Sequence, residues 1–107
     1  LIARQREVRG KIMQVFDIKG EMTIYTAAEQ KLDLLEFIAS DDTLEINLSQ
    51  VSELDTAGTQ LLIMAKQEAN RLQKRLRFTM HSNAVMEVLE LANLSTVFGD
   101  PLFISGE

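Results

Sequence analysis

The feature that most constrains the fold is the pairing of Leu44-Glu45-Ile46-Asn47-Leu48 with the helical pattern that begins at Gly58. Apolar and polar residues alternate over 44–48, with the period of a half-buried strand. Further on, Gly58, Leu61, Leu62, Ala65, Ala69 and Leu72 recur at helical spacing, as on a helix laid against a sheet. A short, mostly polar joint, Ser49 to Glu53, is expected to connect the two and to lead into Asp55. A strand that gives way so quickly to an amphipathic helix is the unit from which helix-covered sheets are assembled.

The rest of the chain repeats that unit. Lys11 to Lys19 holds Ile12, Met13, Val15, Phe16 and Ile18, partly alternating and rich in strand formers, and reads as a strand. Gly20-Glu21 signals a turn or a bulge. Thr26-x-x-Glu29 has the spacing of a capping box and is expected to open a helix through about Ala39. Ala28, Leu32, Leu35 and Ala39 form its stripe, widened by Leu34 and Ile38, and Ser40-Asp41-Asp42 ends it. Leu76 to Met80 alternates as another strand. Ser82 or Asn83 is expected to cap a third helix with Val85, Val88, Leu89 and Ala92 on one face, and Asn93 to break it. A turn through Leu94 to Phe98, a loop at Gly99-Asp100-Pro101 and a short strand at Leu102-Phe103-Ile104 complete the reading. Residues 1–10 are mixed and basic, a loose lead-in with a short edge strand near Val8. The order β-α-β-α-β-α-β, with that extra strand at the start, predicts an α/β domain. We expect residues 1–107 to form a single domain, with 8–104 its compact unit.

Composition removes several function classes. The chain has no Cys, hence no disulfide framework, thiolate metal site or cysteine nucleophile. Its single His81 cannot form a histidine metal cluster, and its acidic residues are scattered rather than arranged as a calcium loop. The formal net charge of −5 argues against nucleic acid as a partner. No apolar run approaches the roughly 18 residues of a membrane span, so membrane insertion is not expected. Leu1 to Arg6 lacks the apolar core of a secretory leader, and the expected compartment is the cytoplasm.

The chemistry concentrates at Leu54-Asp55-Thr56-Ala57-Gly58. Asp is a preferred helix N-cap because its carboxylate accepts orphan amide hydrogens of the first turn. Thr56 then stands where backbone N–H groups and the helix dipole favour added negative charge. On periodicity alone the pair reads more readily as a helix cap followed by an ordinary first-turn threonine. A hydrolase would need a base, and nothing in the sequence places His81 near Thr56. No Gly-rich phosphate loop is present, which ranks a nucleotide or small-ligand site at this helix start last. At about 100° per residue, Thr56, Thr59 and Ile63 are expected to project together, away from the Leu61/Ala65/Leu72 stripe, with Gln60 and Met64 beside them. An exposed Ile63 in that group marks a candidate protein-binding patch.

Four stretches together give the chain a family resemblance. Phe16-Asp17-Ile18-Lys19-Gly20-Glu21-Met22 looks like a strand ending in Gly-Glu-Leu. Thr26-Ala27-Ala28-Glu29 opens the first helix. Leu54-Asp55-Thr56-Ala57-Gly58 resembles an Asp-Ser/Thr-x-Gly signature. Ser82-Asn83-Ala84-Val85, with Leu89 and Leu94, is similar to a last core helix. These are features of the STAS domain, the family of bacterial anti-sigma factor antagonists. The resemblance implies a small mixed β-sheet with parallel central strands and about three to four helices mainly on one side.

It also implies a non-enzymatic module that uses no cofactor. Thr56 would be phosphorylated by a partner Ser/Thr kinase of the anti-sigma type and restored by a phosphatase. The unphosphorylated form would bind the partner, and the domain itself would be a monomer or weak dimer. The implied partner surface comprises Asp55, Thr56, Gly58, Thr59, Gln60 and Ile63, with Thr23 beside it. Two positions depart from the family pattern: Thr23, where many switching members carry an acid, and Thr59, where the residue is usually aliphatic. The alternative is a constitutive STAS subunit of a lipid-transport ATPase or of a chemotaxis-type assembly, with no phosphorylation.

Overall fold

A computed structural model describes residues 3–79 and 82–92. The elements are β1 (Arg4–Val8), β2 (Lys11–Met22), α1 (Ala27–Ser40), β3 (Thr43–Leu54), α2 (Thr56–Arg71), β4 (Arg75–Thr79) and α3 (Asn83–Ala92). Met80, the expected end of the strand that starts at Leu76, His81, and everything from Asn93 through the expected last strand at Leu102–Ile104 lie outside the described residues.

The strands lie in the order β1-β2-β3-β4. β1 and β2 form an antiparallel hairpin in which Val8 faces Lys11. Its two-residue turn, Arg9-Gly10, takes φ of 53° and 80°, the positive values that suit the twist of a tight hairpin. β2, β3 and β4 are parallel neighbours. Two successive crossovers progressing the same way across a sheet, both right-handed, put their helices on the same face. The core lies between that face and the helices. It joins Ile18, Leu44, Ile46, Leu48, Leu76 and Phe78 of the sheet to Leu34, Phe37, Leu62, Ala65, Val85 and Leu89.

Several elements differ from expectation. β3 runs through Leu54, so Ser49 to Glu53 is strand rather than joint. Its exposed polar residues hide the period, while Gln50, Val51, Glu53 and Leu54 continue to pair with β2. β2 likewise runs on through Gly20-Glu21, where the register shifts and Gly20 has φ of 83°; a bulge is present and a turn is not.

The capping box does not form. The Thr26 side chain caps nothing in α1; its Oγ1 accepts from the Thr23 amide at 3.0 Å and lies 3.1 Å from Glu21 O. The buried face of α1 is Leu34, Phe37 and Ile38, whereas Ala28, Leu32 and Ala39 are exposed. Phe37 decides the helical phase, packing on Phe16 with ring centroids 5.5 Å apart, because Phe37 turned inward with Leu34 and Ile38 removes more apolar area from water than Leu32 with two alanines would. Leu72, expected in the buried stripe of α2, is its C-cap and is 38% exposed. Gln73 comes next with φ of 60°, a left-handed residue that stops the helix.

Candidate functional site

The site lies at the end of the sheet where the parallel strands finish. Met22 and Leu54 are paired there as the last residues of β2 and β3. Two loops leave side by side, one to α1 and one to α2, and Asp55 clasps them together. Its Oδ1 accepts from Gly58 N at 2.9 Å and its Oδ2 from Ile24 N at 2.9 Å. Its own amide donates to Met22 O at 3.3 Å. The first bond is the expected N-cap; the second, to a loop 31 residues earlier, is not legible locally. Both amides stabilise the charged carboxylate, the Gly58 bond most, and hold its pKa below the ordinary aspartate value.

Gly58 is required by space. A Cβ on it would stand 2.0 Å from Met22 O and 2.8 Å from Leu54 Cδ1. No side chain fits unless β2 and α2 move apart. The Asp-x-x-Gly pattern therefore has a mechanical reading: the acid ties two loops, and the glycine lets the helix start sit directly on the end of β2.

Thr56 is the first residue of α2 and is exposed. Among the described residues its hydroxyl has no hydrogen-bond partner. Thr59 behaves otherwise, correcting the expectation that it projects outward with Thr56. It is 8% exposed, and its Oγ1 donates to Asp55 O at 2.9 Å. A short hydroxyl side chain one turn into a helix is readily satisfied by the carbonyl four residues back. Ile63 is corrected too: it is half-buried and packs against the core, because Val88 of α3 closes over the same depression. That depression, about 410 Å³, is lined by Leu54, Asp55, Thr56, Thr59, Gln60, Ile63 and Val88. Gln60 is exposed as expected.

Thr23 is buried, with Oγ1 donating to Glu21 Oε1 and accepting from Tyr25 N. It lines a second depression of about 310 Å³ with Glu53, Asp55 and Glu87. Among the described residues no Lys or Arg lines either depression. Pattern reading missed Ile24 and Tyr25, which are 70% and 90% exposed in the loop that Asp55 holds. The available signal was two large apolar residues just ahead of a helix with a complete apolar face of its own.

A helix-backed mixed sheet with an Asp-Thr-x-Gly clasp at the strand ends defines the class of domain. The family model described as "Mlab, STAS domain" matches residues 7–103, and the chain belongs to the STAS family. Among solved structures, an anti-sigma factor antagonist from Mycobacterium paratuberculosis is similar with a TM-score of 0.73 at 20% identity, over 91% of this chain and 81% of that one. The anti-sigma factor antagonist SpoIIAA in its unphosphorylated form is similar with a TM-score of 0.65 at 18% identity, over 89% and 84% of the two chains. These likenesses extend the fold beyond what the strand and helix periods gave. No helix among the described residues is long and apolar enough to cross a membrane.

Proposed function

We propose that the Asp55 end is a protein-binding surface switched by a phosphate on Thr56. The observation that carries this reading is the contrast between two threonines on one helix turn. Thr56 offers an exposed hydroxyl with no partner among the described residues, while the hydroxyl of Thr59 is buried and tied to Asp55 O. The partner is an anti-sigma factor of the Ser/Thr-kinase type, a phosphatase restores the free hydroxyl, and the exchange takes place in the cytoplasm. The domain acts by being bound, not by catalysing a reaction. Ile24, Tyr25, Gln60 and the exposed part of Ile63 supply contact area around Thr56.

The charge balance explains release. A phosphate adds about −1.5 to −2 charges near neutral pH. The first turn of α2 tolerates it through free N–H groups and the helix dipole. Asp55 adjoins it, Glu53 and Glu87 line the neighbouring depression, and among the described residues no cation lines either one. A partner surface that fits the free hydroxyl cannot desolvate a dianion in that setting without supplying a new cation.

The test begins with co-purification from the native cell and mass spectrometry of Thr56. The captured kinase is then titrated with the parent, Thr56→Ala and Thr56→Glu proteins. Thr56→Ala is expected to keep binding and to lose radiolabel incorporation. Thr56→Glu is expected to bind about tenfold more weakly, a change of about 1.4 kcal/mol, while its stability stays within about 0.5 kcal/mol of the parent. Labelling that survives in Thr56→Ala would move the modification elsewhere. Equal affinity of the parent and Thr56→Glu, with no phosphate on Thr56 in the cell, would instead favour a constitutive subunit.

A further inference from the structure

The opposite end of the sheet, where the parallel strands begin, has the reverse electrostatic character. A depression of about 500 Å³ opens there, and its lining includes Arg9, Lys11, Lys66, Lys74, Arg75 and Arg77, with no Asp or Glu among the described residues. Six of the chain's eleven Lys and Arg residues thus surround one concavity in a protein of net charge −5. Two have structural work. Lys66 Nζ donates to Leu76 O at 2.6 Å and lies over the Phe78 ring, and Lys74 Nζ donates to Ile38 O at 2.6 Å. The other four are exposed, and none has an ion pair or a side-chain hydrogen bond among the described residues. Asp41 and Asp42 precede β3 at this end but do not line the depression.

Cations gathered around one concavity repel one another; Glu45 faces Arg77 in register but is paired with Arg6, and an acidic chain has ample carboxylates with which to intersperse them. The repulsion is relieved by an anion, and several cations around one concavity suit a dianion better than a single carboxylate. The floor adds a second requirement. It is formed by half-buried Val8, by Met13 and by the aliphatic stems of the lysines. The volume lies within the roughly 300–1,000 Å³ of small-molecule sites. The Arg9-Gly10 turn and the starts of β3 and β4 make the walls backbone-rigid.

We infer that this depression binds a phosphate monoester carrying an aliphatic body, with Arg75 and Arg77 of β4 and Lys11 of β2 holding the phosphate and Val8 and Met13 receiving the body. The site is separate from Asp55 and Thr56 and does not depend on the switch.

The test uses the whole chain, with amide chemical shifts and calorimetry as readouts. The probes are hexyl phosphate, inorganic phosphate, hexanoate and mixed phosphatidic acid–phosphatidylcholine vesicles. Hexyl phosphate is expected to shift the amides of Lys11, Thr43 and Leu76, and to bind about tenfold tighter than either inorganic phosphate or hexanoate. The Arg75→Ala/Arg77→Ala protein is expected to lose that affinity by about tenfold or more with an unchanged melting curve, since both side chains are exposed. Vesicle binding that the same double variant abolishes would identify the source as a lipid headgroup; hexyl phosphate binding without vesicle binding would identify a soluble ester. The inference is overturned by shifts confined to the Asp55 end, by unchanged affinity in the double variant, or by equal affinity for hexyl phosphate and inorganic phosphate. Displacement of hexyl phosphate by polyglutamate at matched charge would also overturn it and give the surface to an acidic protein segment.

Discussion

At the residue scale, Asp55 shows which parts of a site can be read from sequence. Its bond to Gly58 N is three residues away and comes from N-cap chemistry, so the helix start was legible. Its bond to Ile24 N depends on two strands ending side by side, which no local pattern encodes. Both bonds act on the charged carboxylate, and the resulting pKa depression sets an acid response. The folded state holds Asp55 below its ordinary value, so the unfolded chain takes up the proton first as pH falls. The contribution is fully present above about pH 4 and is lost as pH drops toward the folded value. Asp17 behaves alike, held down chiefly by its bond from Arg4 and then by that from Asn47. Urea midpoints measured from neutral pH downward are therefore expected to fall below about pH 4, and the fall is expected to be shallower in Asp55→Asn and Asp17→Asn. Slopes identical to the parent in both variants would remove these carboxylates as its cause.

At the element scale, α1 shows how a correct helix can be given the wrong face. Its apolar residues are numerous enough to draw two stripes, and spacing alone does not choose between them. The choice is made by shape, through Phe37 meeting Phe16 across the layer. In α2 the expected stripe of Gly58, Leu61, Leu62, Ala65 and Ala69 is buried and only the C-cap Leu72 departs from it, but Thr59 and Ile63, expected on the outer face, are turned in as well. The phase of α1 can be measured directly. Phe37→Ala is expected to cost about 3–5 kcal/mol in urea denaturation, and Leu32→Ala, at a residue 69% exposed, to stay within about 0.5 kcal/mol. Comparable losses for the two would mean that the helix is turned the other way. β3 carries the complementary lesson. Its second half pairs through backbone groups while exposing Ser49, Gln50, Ser52 and Glu53, so hydrophobic alternation ends before the strand does.

At the scale of the whole molecule, the sheet's second face is held by charge rather than by the helices. Register puts Arg4, Arg6, Met13, Val15, Asp17, Glu45, Asn47 and Thr79 on that face. Arg4 pairs with Asp17, which also accepts from Asn47 Nδ2 at 2.8 Å. Arg6 pairs with Glu45, whose side chain is 3% exposed and whose other oxygen accepts from Thr79 Oγ1 at 2.8 Å. The opening segment, read from sequence as a loose lead-in with a short edge strand near Val8, is strand from Arg4 to Val8 and supplies the cations for two acids on neighbouring strands. Arg6 and Glu45 are 39 residues apart, too far for any local period to link them. Truncating Arg6 leaves a buried carboxylate with Thr79 as its remaining side-chain partner. Breaking a fully buried pair costs about 3–5 kcal/mol, and water's access to Arg6, whose side chain is 35% exposed, lowers the expectation for Arg6→Ala to about 2–3 kcal/mol. Glu45→Gln removes the charge while keeping an oxygen for Thr79, so the Arg6→Ala/Glu45→Gln protein is expected to be more stable than Arg6→Ala alone. A double-mutant cycle in urea isolates the coupling. Additive losses would show that the pair contributes nothing as a pair, leaving β1 held by its backbone ladder to β2 and by the Arg4–Asp17 pair.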